Sequence, residues 1–282
     1  MESQESREEN RTPPYTVQQY RDLFLDYYTF LTKLHISPSQ LKIPPPEGWN
    51  FPREFIGDKL TDLAYETMCH LPYLSPHNLP VDYKSELIDW TVALKSEFND
   101  IIDYTRSNTE FWGEENELDE NHFLPISVGH ESGGVTLLLC PLNGGLYQDI
   151  VRMDGPHFMN IEQRFGEYKE MFKNLDMIPF PGKTLLDVCG KRYKPCRSRG
   201  PITEEEVLAQ DPKEWIPTVL DTRYLKQVYR GYGWPLEFRR EECFEYVEGL
   251  LKKMEERERG GWEDDRTEYG VMDLDNIGGS EA

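Results

Sequence analysis

The 282-residue chain lacks long apolar runs. No stretch of about eighteen uncharged apolar residues occurs, and the opening MESQESREENRTPP carries no apolar segment of the kind found in signal peptides. We therefore expect a soluble protein that does not span a membrane and is not exported by the classical route. The cytoplasm is the expected location, and the nucleus is also possible.

Cysteine is scarce, and its spacing argues against disulfides and metal sites. The five cysteines are an odd number without short paired spacings, unlike the disulfide frameworks of small secreted domains. Cys189 and Cys196 are too far apart for the ligand pair of a zinc knuckle. We expect no metal and no cofactor, and we expect Cys69, Cys140 and Cys243 to be buried thiols that pack as small apolar residues.

Positive charge is also scarce. Lys and Arg number 31 against 52 Asp and Glu, which gives a net charge of −21. The resulting field repels phosphate backbones and anionic lipids at long range, so nucleic acid and membranes are excluded as expected partners.

One basic cluster interrupts this acidic composition. We predict that it docks an acidic partner segment or the protein's own acidic loop; a solvated loop and a phosphorylated or polyanionic ligand are the alternatives. Charge reversal at Arg197 and Arg199 should then lower partner recovery in a pull-down and leave the melting temperature nearly unchanged. The predicted partner-binding residues are Lys191, Arg192, Lys194, Arg197 and Arg199.

Catalytic signatures are weak. Residues 181–184, PGKT, resemble the end of a phosphate-binding loop, but Met177 stands where that loop needs glycine, so a turn before a strand is favoured.

The segment GHESGG, residues 129–134, holds a serine beside a histidine and a glutamate. Its G-x-x-S-G order is not the G-x-S-x-G of a nucleophile elbow, and it lies between two predicted strands. We therefore predict no catalytic residue. The alternative is an enzyme, of hydrolase type, with an unrecognised pocket near His130 and Glu131 or around His70 and His77.

The middle of the chain predicts three strands. Residues 123–128, 135–140 and 146–151 are rich in β-branched and large apolar residues, and Asn143-Gly144 supplies the positive φ angles of a tight turn. Residues 86–107 are ambiguous; alternation of Ile88, Trp90, Val92 and Leu94 favours a strand, followed by a short helix or turn.

Helical spacing of apolar residues predicts helices on both sides of these strands. Thr16 caps the first, and Thr203 and Glu206 form a capping box for a short helix. The other predicted helices have apolar residues from Tyr20 to Leu34 (the Thr16-capped helix), Leu60 to Leu71, Phe158 to Leu175, Leu220 to Val228, and Phe244 to Met254.

This order of elements predicts an α+β fold, a small mostly antiparallel sheet flanked by helices in a single domain. The domain is expected to span residues 15–256. Residues 1–14 and 257–282 have low hydrophobicity and high charge, a composition typical of disordered tails.

Two sets of segments resemble known proteins. LPISVGHESGGVTLLLCPLNGGLYQDIV, residues 124–151, is similar to the central portion of the SUKH superfamily. IPPPEGW, HLPY, NLDMIPFPG and YRGYGWPLEFRREEC resemble segments of a large group of uncharacterised fungal proteins, some of them described as SUKH-like.

The SUKH resemblance implies a non-catalytic binding fold. Fungal members act as regulatory hubs in cell-wall and stress signalling, and bacterial members act as toxin-immunity proteins. We therefore predict a non-catalytic protein-binding or regulatory protein whose partners are other proteins.

Overall fold

The computed structural model describes residues 11–75, 80–93, 100–103, 118–130, 133–151, 157–180, 183–186, 200–210 and 218–256. These residues group into two compact units, the first ending at Glu167 and the second beginning at Tyr168. Most of the two predicted disordered tails lies outside the described residues. The single domain over residues 15–256 stays a prediction.

The first unit opens with helix α1 (Val17–Leu34), as predicted. Thr16 Oγ1 accepts the Gln19 N–H and Gln19 Oε1 accepts the Thr16 N–H, so two of the helix's unpaired backbone donors are satisfied. The apolar face is buried, and Tyr27 stacks on Phe165 at 4.4 Å between ring centroids. Capping and amphipathicity together account for this helix.

Short elements follow α1. They are β1 (Leu41–Lys42), α2 (Arg53–Ile56), α3 (Asp62–His70) and β2 (Tyr73–Leu74), with 3₁₀ turns at Pro38–Gln40 and Gly57–Lys59. Thr61 caps α3, and the helix ends before Pro72 as predicted. Strands β1 and β2 pair antiparallel.

A six-stranded antiparallel sheet, with its strands in chain order, forms the centre of the first unit. Its strands are β3 (Pro80–Asp82), β4 (Ser85–Leu87), β5 (Leu124–Gly129), β6 (Val135–Cys140), β7 (Gly145–Ile150) and β8 (His157–Asn160). The three predicted strands and the α+β class are thereby confirmed. A 3₁₀ turn at Glu120–His122 precedes β5.

The predicted turn between β6 and β7 is present with one difference. Gly144 has φ of +72°, the left-handed region that favours glycine. Asn143 keeps a negative φ, and its Oδ1 accepts the Gly145 N–H at 2.9 Å. A single left-handed residue therefore suffices for this connection.

Strand β5 is central yet contains Pro125, which cannot donate to the ladder. The register with β6 shifts between Pro125 and Ser127, which marks a bulge at this point. Ser127 Oγ accepts the Leu137 N–H at 3.2 Å and the Ser85 hydroxyl at 2.8 Å. One buried hydroxyl thus connects β4, β5 and β6.

The predicted strand through Trp90 is wrong. The strand β4 ends at Leu87, and residues Trp90–Ala93 form helix α4. Asp89 is buried, and its Oδ1 accepts the Thr91 N–H at 3.0 Å, which begins a helical turn where the apolar alternation suggested extended chain. Residues 100–103 are helical, and the rest of the ambiguous region lies outside the described residues.

The predicted helix over Phe158–Leu175 begins later than expected. Helix α5 spans Ile161–Asn174, and Phe158 lies in edge strand β8 opposite Tyr147. Asn160 Oδ1 accepts the Glu162 N–H at 2.9 Å, so the helix starts only after this cap.

The second unit contains the end of α5 and the elements that follow. These are β9 (Met177–Phe180), β10 (Lys183–Leu186), α6 (Glu204–Leu208), α7 (Val219–Gly231) and α8 (Arg240–Glu256). Strand β9 was not predicted from the sequence; it pairs antiparallel with β10. The capping box of α6 and helices α7 and α8 confirm the predictions.

Aromatic side chains form the core of the second unit. Tyr229 contacts Trp234 and stacks on Phe238 at 5.6 Å. Trp234 Nε1 donates to the Phe172 carbonyl at 2.9 Å, which holds α5 to the loop after α7. Cys69 and Cys140 of the first unit and Cys243 of the second are buried free thiols, as predicted.

Candidate functional site

The predicted partner-binding residues, Lys191, Arg192, Lys194, Arg197 and Arg199, lie outside the described residues. Glu131 and His77, half of each pair suggested for an enzyme, also lie outside them. His130 Nε2 lies 3.3 Å from Glu86 Oε2, and His70 Nδ1 lies 2.9 Å from the Glu66 carbonyl oxygen. Neither contact tests the enzyme alternative, which stays a prediction.

The second unit instead shows a cationic groove on helix α7. It is open to solvent, with a volume of about 500 Å³. Its lining residues are Gly200, Pro201, Ile202, Arg223, Lys226, Gln227 and Arg230, and we call this set the α7 groove.

Helical periodicity explains why three cations line one groove. Positions 223, 226, 227 and 230 follow the i, i+3, i+4, i+7 pattern and share one face of α7. The opposite face is apolar and buried, with Leu225 and Tyr229 at its centre. Burial of that face directs Arg223 and Arg230 to solvent, with their Cα atoms roughly 10 Å apart along the helix.

Gln227 holds the other wall of the groove in place. Its Oε1 accepts the Ile202 N–H at 3.0 Å, and its Nε2 donates to the Ile202 carbonyl at 2.8 Å. Both backbone groups of this mostly buried residue are therefore satisfied by one side chain. This Gln227 clamp fixes the distance between the 200–202 segment and α7.

The three cations differ in their partners. Lys226 Nζ lies 3.2 Å from Asp176 Oδ1, so part of its charge is already neutralised. Neither arginine side chain has an ion pair or hydrogen bond within the part of the chain that the structure describes. None of the described residues therefore occupies the guanidinium donors of Arg223 and Arg230.

One acidic residue near the groove makes hydrogen bonds to side chains that do not line the groove. Glu204, two residues after Ile202, accepts hydrogen bonds from Lys253 at 2.6 Å and from the Tyr246 hydroxyl at 2.7 Å. These two bonds, the one from Lys253 first, hold the pKa of Glu204 below its ordinary value. Tyr246 also bonds the Tyr224 hydroxyl, and burial raises the pKa of Tyr246.

Guanidinium groups at this spacing suit carboxylates. Arg presents a planar set of donors that pairs with a carboxylate through two parallel hydrogen bonds. An extended peptide rises about 3.3 Å per residue and places every second side chain on one side, so carboxylates two or four residues apart lie about 7 or 13 Å apart, a range that includes the spacing of the two arginines. The α7 groove thus has the charge and the length to bind a short acidic segment.

The sequence reasoning missed this groove. Only the apolar residues of α7, from Leu220 to Val228, enter the sequence prediction, and Arg223, Lys226 and Arg230 do not. Three cations at i, i+3 and i+7 in a chain of net charge −21 were the available signal. The second wall could not be read from that pattern, since residues 200–202 are about twenty positions away.

A metal-binding cluster and a membrane-spanning helix are both absent from the part of the chain that the structure describes. Within the described ranges, no cluster of three or more His, Cys, Asp or Glu could hold a metal ion. In the same part of the chain, no helix has the length and apolarity to cross a membrane.

Comparison with known proteins does not identify the chain. No family model matches it, and no curated protein and no solved structure is significantly similar to it. The SUKH resemblance therefore stays a prediction.

Proposed function

We propose that this chain is a non-catalytic protein-binding protein that binds an acidic segment of a partner in the α7 groove. The single observation behind the proposal is a pair of arginines on one face of α7 that have no ion pair or hydrogen bond among the described residues and that line a groove with the segment held by Gln227.

Charge contrast supports this choice of ligand. The groove is cationic although the chain as a whole carries −21. Complementary charge of this kind accelerates encounter and sets the register of a bound segment more than it raises affinity. The predicted basic cluster ends at Arg199, which immediately precedes Gly200 of the groove in the sequence.

The expected affinity is modest. The arginines are solvent-accessible, and an exposed ion pair contributes about 0.2–1 kcal/mol. Two such pairs and apolar contact with the exposed Pro201 correspond to transient binding. This is compatible with a regulatory protein, and a SUKH-like fold and a location in the cytoplasm or nucleus remain part of the proposal.

A charge-reversal experiment tests the proposal. A fluorescent peptide of ten glutamates is titrated with wild-type protein and with the Arg223→Glu/Arg230→Glu variant, and its anisotropy is followed. Two lost pairs and two new repulsions at about 0.5 kcal/mol each amount to about 2 kcal/mol, roughly a 30-fold loss of affinity.

The matched control is Lys33→Glu/Lys252→Glu, which changes the net charge equally at two exposed helical positions outside the groove. It should bind nearly as well as the wild type. Equal losses in both variants would show that only the overall field matters and would refute the groove as the site. A ten-residue glutamine peptide should not bind.

A further inference from the structure

We infer that the acidic segment Trp262–Asp273 of the same chain occupies the α7 groove and competes with partner segments. This inference rests on the proposed function of the groove. It identifies a second occupant, one that is covalently attached.

The first support is where the described chain ends. Helix α8 runs to Glu256, and Lys253 in its last turn donates to Glu204 Oε1 at 2.6 Å. Glu204 is two residues from Ile202, which lines the groove. The last described residue, Glu256, is therefore three residues after a lysine that bonds Glu204, next to the groove wall in sequence.

The second support is reach. Five residues, 257–261, lie between Glu256 and Trp262, and the six Cα-to-Cα steps of about 3.3–3.6 Å each cover about 20 Å when the chain is extended. Glu204 and Ile202 have Cα atoms no more than about 8 Å apart, because two peptide units join them. The groove is within the range of the attached segment.

The third support is chemistry. Residues 262–273, WEDDRTEYGVMD, carry five acidic residues and one arginine. In an extended chain Glu263 and Asp265 would share one side about 7 Å apart, and Asp264 and Glu268 would share the other about 13 Å apart. Either pair brackets the spacing of the two arginines of α7, and Trp262 and Tyr269 offer apolar surface to the exposed Pro201.

Covalent attachment makes weak contacts effective. A short flexible linker holds its two ends at an effective concentration in the millimolar range. If the free segment bound with a dissociation constant of about 0.1–1 mM, the attached one would weaken a competing peptide by about 2- to 10-fold.

The experiment compares two four-site variants in the full chain. Glu263→Gln, Asp264→Asn, Asp265→Asn and Glu268→Gln neutralise the segment. The control neutralises four glutamates of the opposite terminus: Glu2→Gln, Glu5→Gln, Glu8→Gln and Glu9→Gln. Both changes raise the net charge by four, so an effect of the overall field appears equally in both.

The segment variant should bind the ten-glutamate peptide about 2- to 10-fold more tightly than the control variant does. A labelled synthetic peptide of residues 262–273 should bind the segment variant, and the additional Arg223→Glu/Arg230→Glu change should abolish that binding. Size-exclusion chromatography of the wild type should show a monomer across the concentrations used.

The possible failures are distinguishable. Equal affinities of the two four-site variants, with binding still lost on charge reversal in the groove, would overturn the inference and leave the proposed function intact. Failure of every variant to bind either peptide would overturn both. A dimer whose formation depends on the acidic segment would show that it binds a second copy, which also overturns the intramolecular inference.

Discussion

Replacement of Gln227 by alanine tests the geometry of the groove without changing its charge. The side chain makes two hydrogen bonds to the backbone of Ile202, at 3.0 and 2.8 Å. A typical hydrogen bond contributes about 0.5–1.5 kcal/mol net, so loss of both should cost about 2 kcal/mol of folding free energy. For a protein of this size, that corresponds to a fall in melting temperature of roughly 4–8 °C.

Thermal unfolding followed by circular dichroism measures this fall. Gln18→Ala is the matched control, because Gln18 is an exposed helical glutamine whose amide bonds Asp22 and Arg21 on the surface of α1. Its loss should cost no more than about 0.5 kcal/mol.

Binding is the second measurement on the Gln227→Ala variant. Below its melting temperature, the variant should bind the ten-glutamate peptide more weakly than the Gln18→Ala protein, since the 200–202 wall is no longer fixed against α7. A melting temperature and an affinity both equal to those of the control would refute the clamp as the element that shapes the groove.

Three further predictions concern stability. Leu31→Ala, at a fully buried position, should cost about 2–5 kcal/mol in urea denaturation, whereas Leu236→Ala, at a position 92% exposed, should stay within about 0.5 kcal/mol. Gly144→Ala should lower the free energy of unfolding by about 1–3 kcal/mol in the same assay, because φ is +72° there and the added Cβ would meet a proline carbon at 2.7 Å. An unchanged free energy of unfolding would show that the turn relaxes. The pKa of Glu204 is lower in the folded protein than in the unfolded chain. Its contribution to stability is therefore complete above the unfolded-state pKa of about 4.3 and is lost as the pH falls through the folded-state pKa. Glu204→Gln should flatten the pH dependence of the melting temperature in this acidic range, and the control Glu205→Gln should not.

Local hydrogen bonding explains which helices could be predicted. The caps at Thr16 and Thr203 lie within three residues of their partners, so the sequence contains the whole motif. A local hydrogen bond also explains why the strand predicted around Trp90 was wrong. The alternation around Trp90 favours a strand, but the Asp89 carboxylate bonds the backbone two residues on and starts a helix.

Long-range pairing explains the features that the sequence did not reveal. Phe158 continues the helical spacing of Ile161 and Phe165, yet its pairing with Tyr147 on β7 places it in a strand. The α7 groove depends on the bonds between Gln227 and Ile202, 25 positions apart, and no local pattern records such a contact. Its cations were visible in the sequence, but the wall opposite them was not.

The hydroxyl of Ser127 constrains how relatives of this chain can be recognised. Because it accepts both the Leu137 N–H and the Ser85 hydroxyl next to the bulge, one small polar atom joins three strands at this point. A homologue could retain this arrangement with serine or threonine here, or it could delete one residue and restore regular pairing. An alignment that scores only apolar matches across β5 would place such a deletion wrongly, and the residues after it would be compared with the wrong face of the sheet.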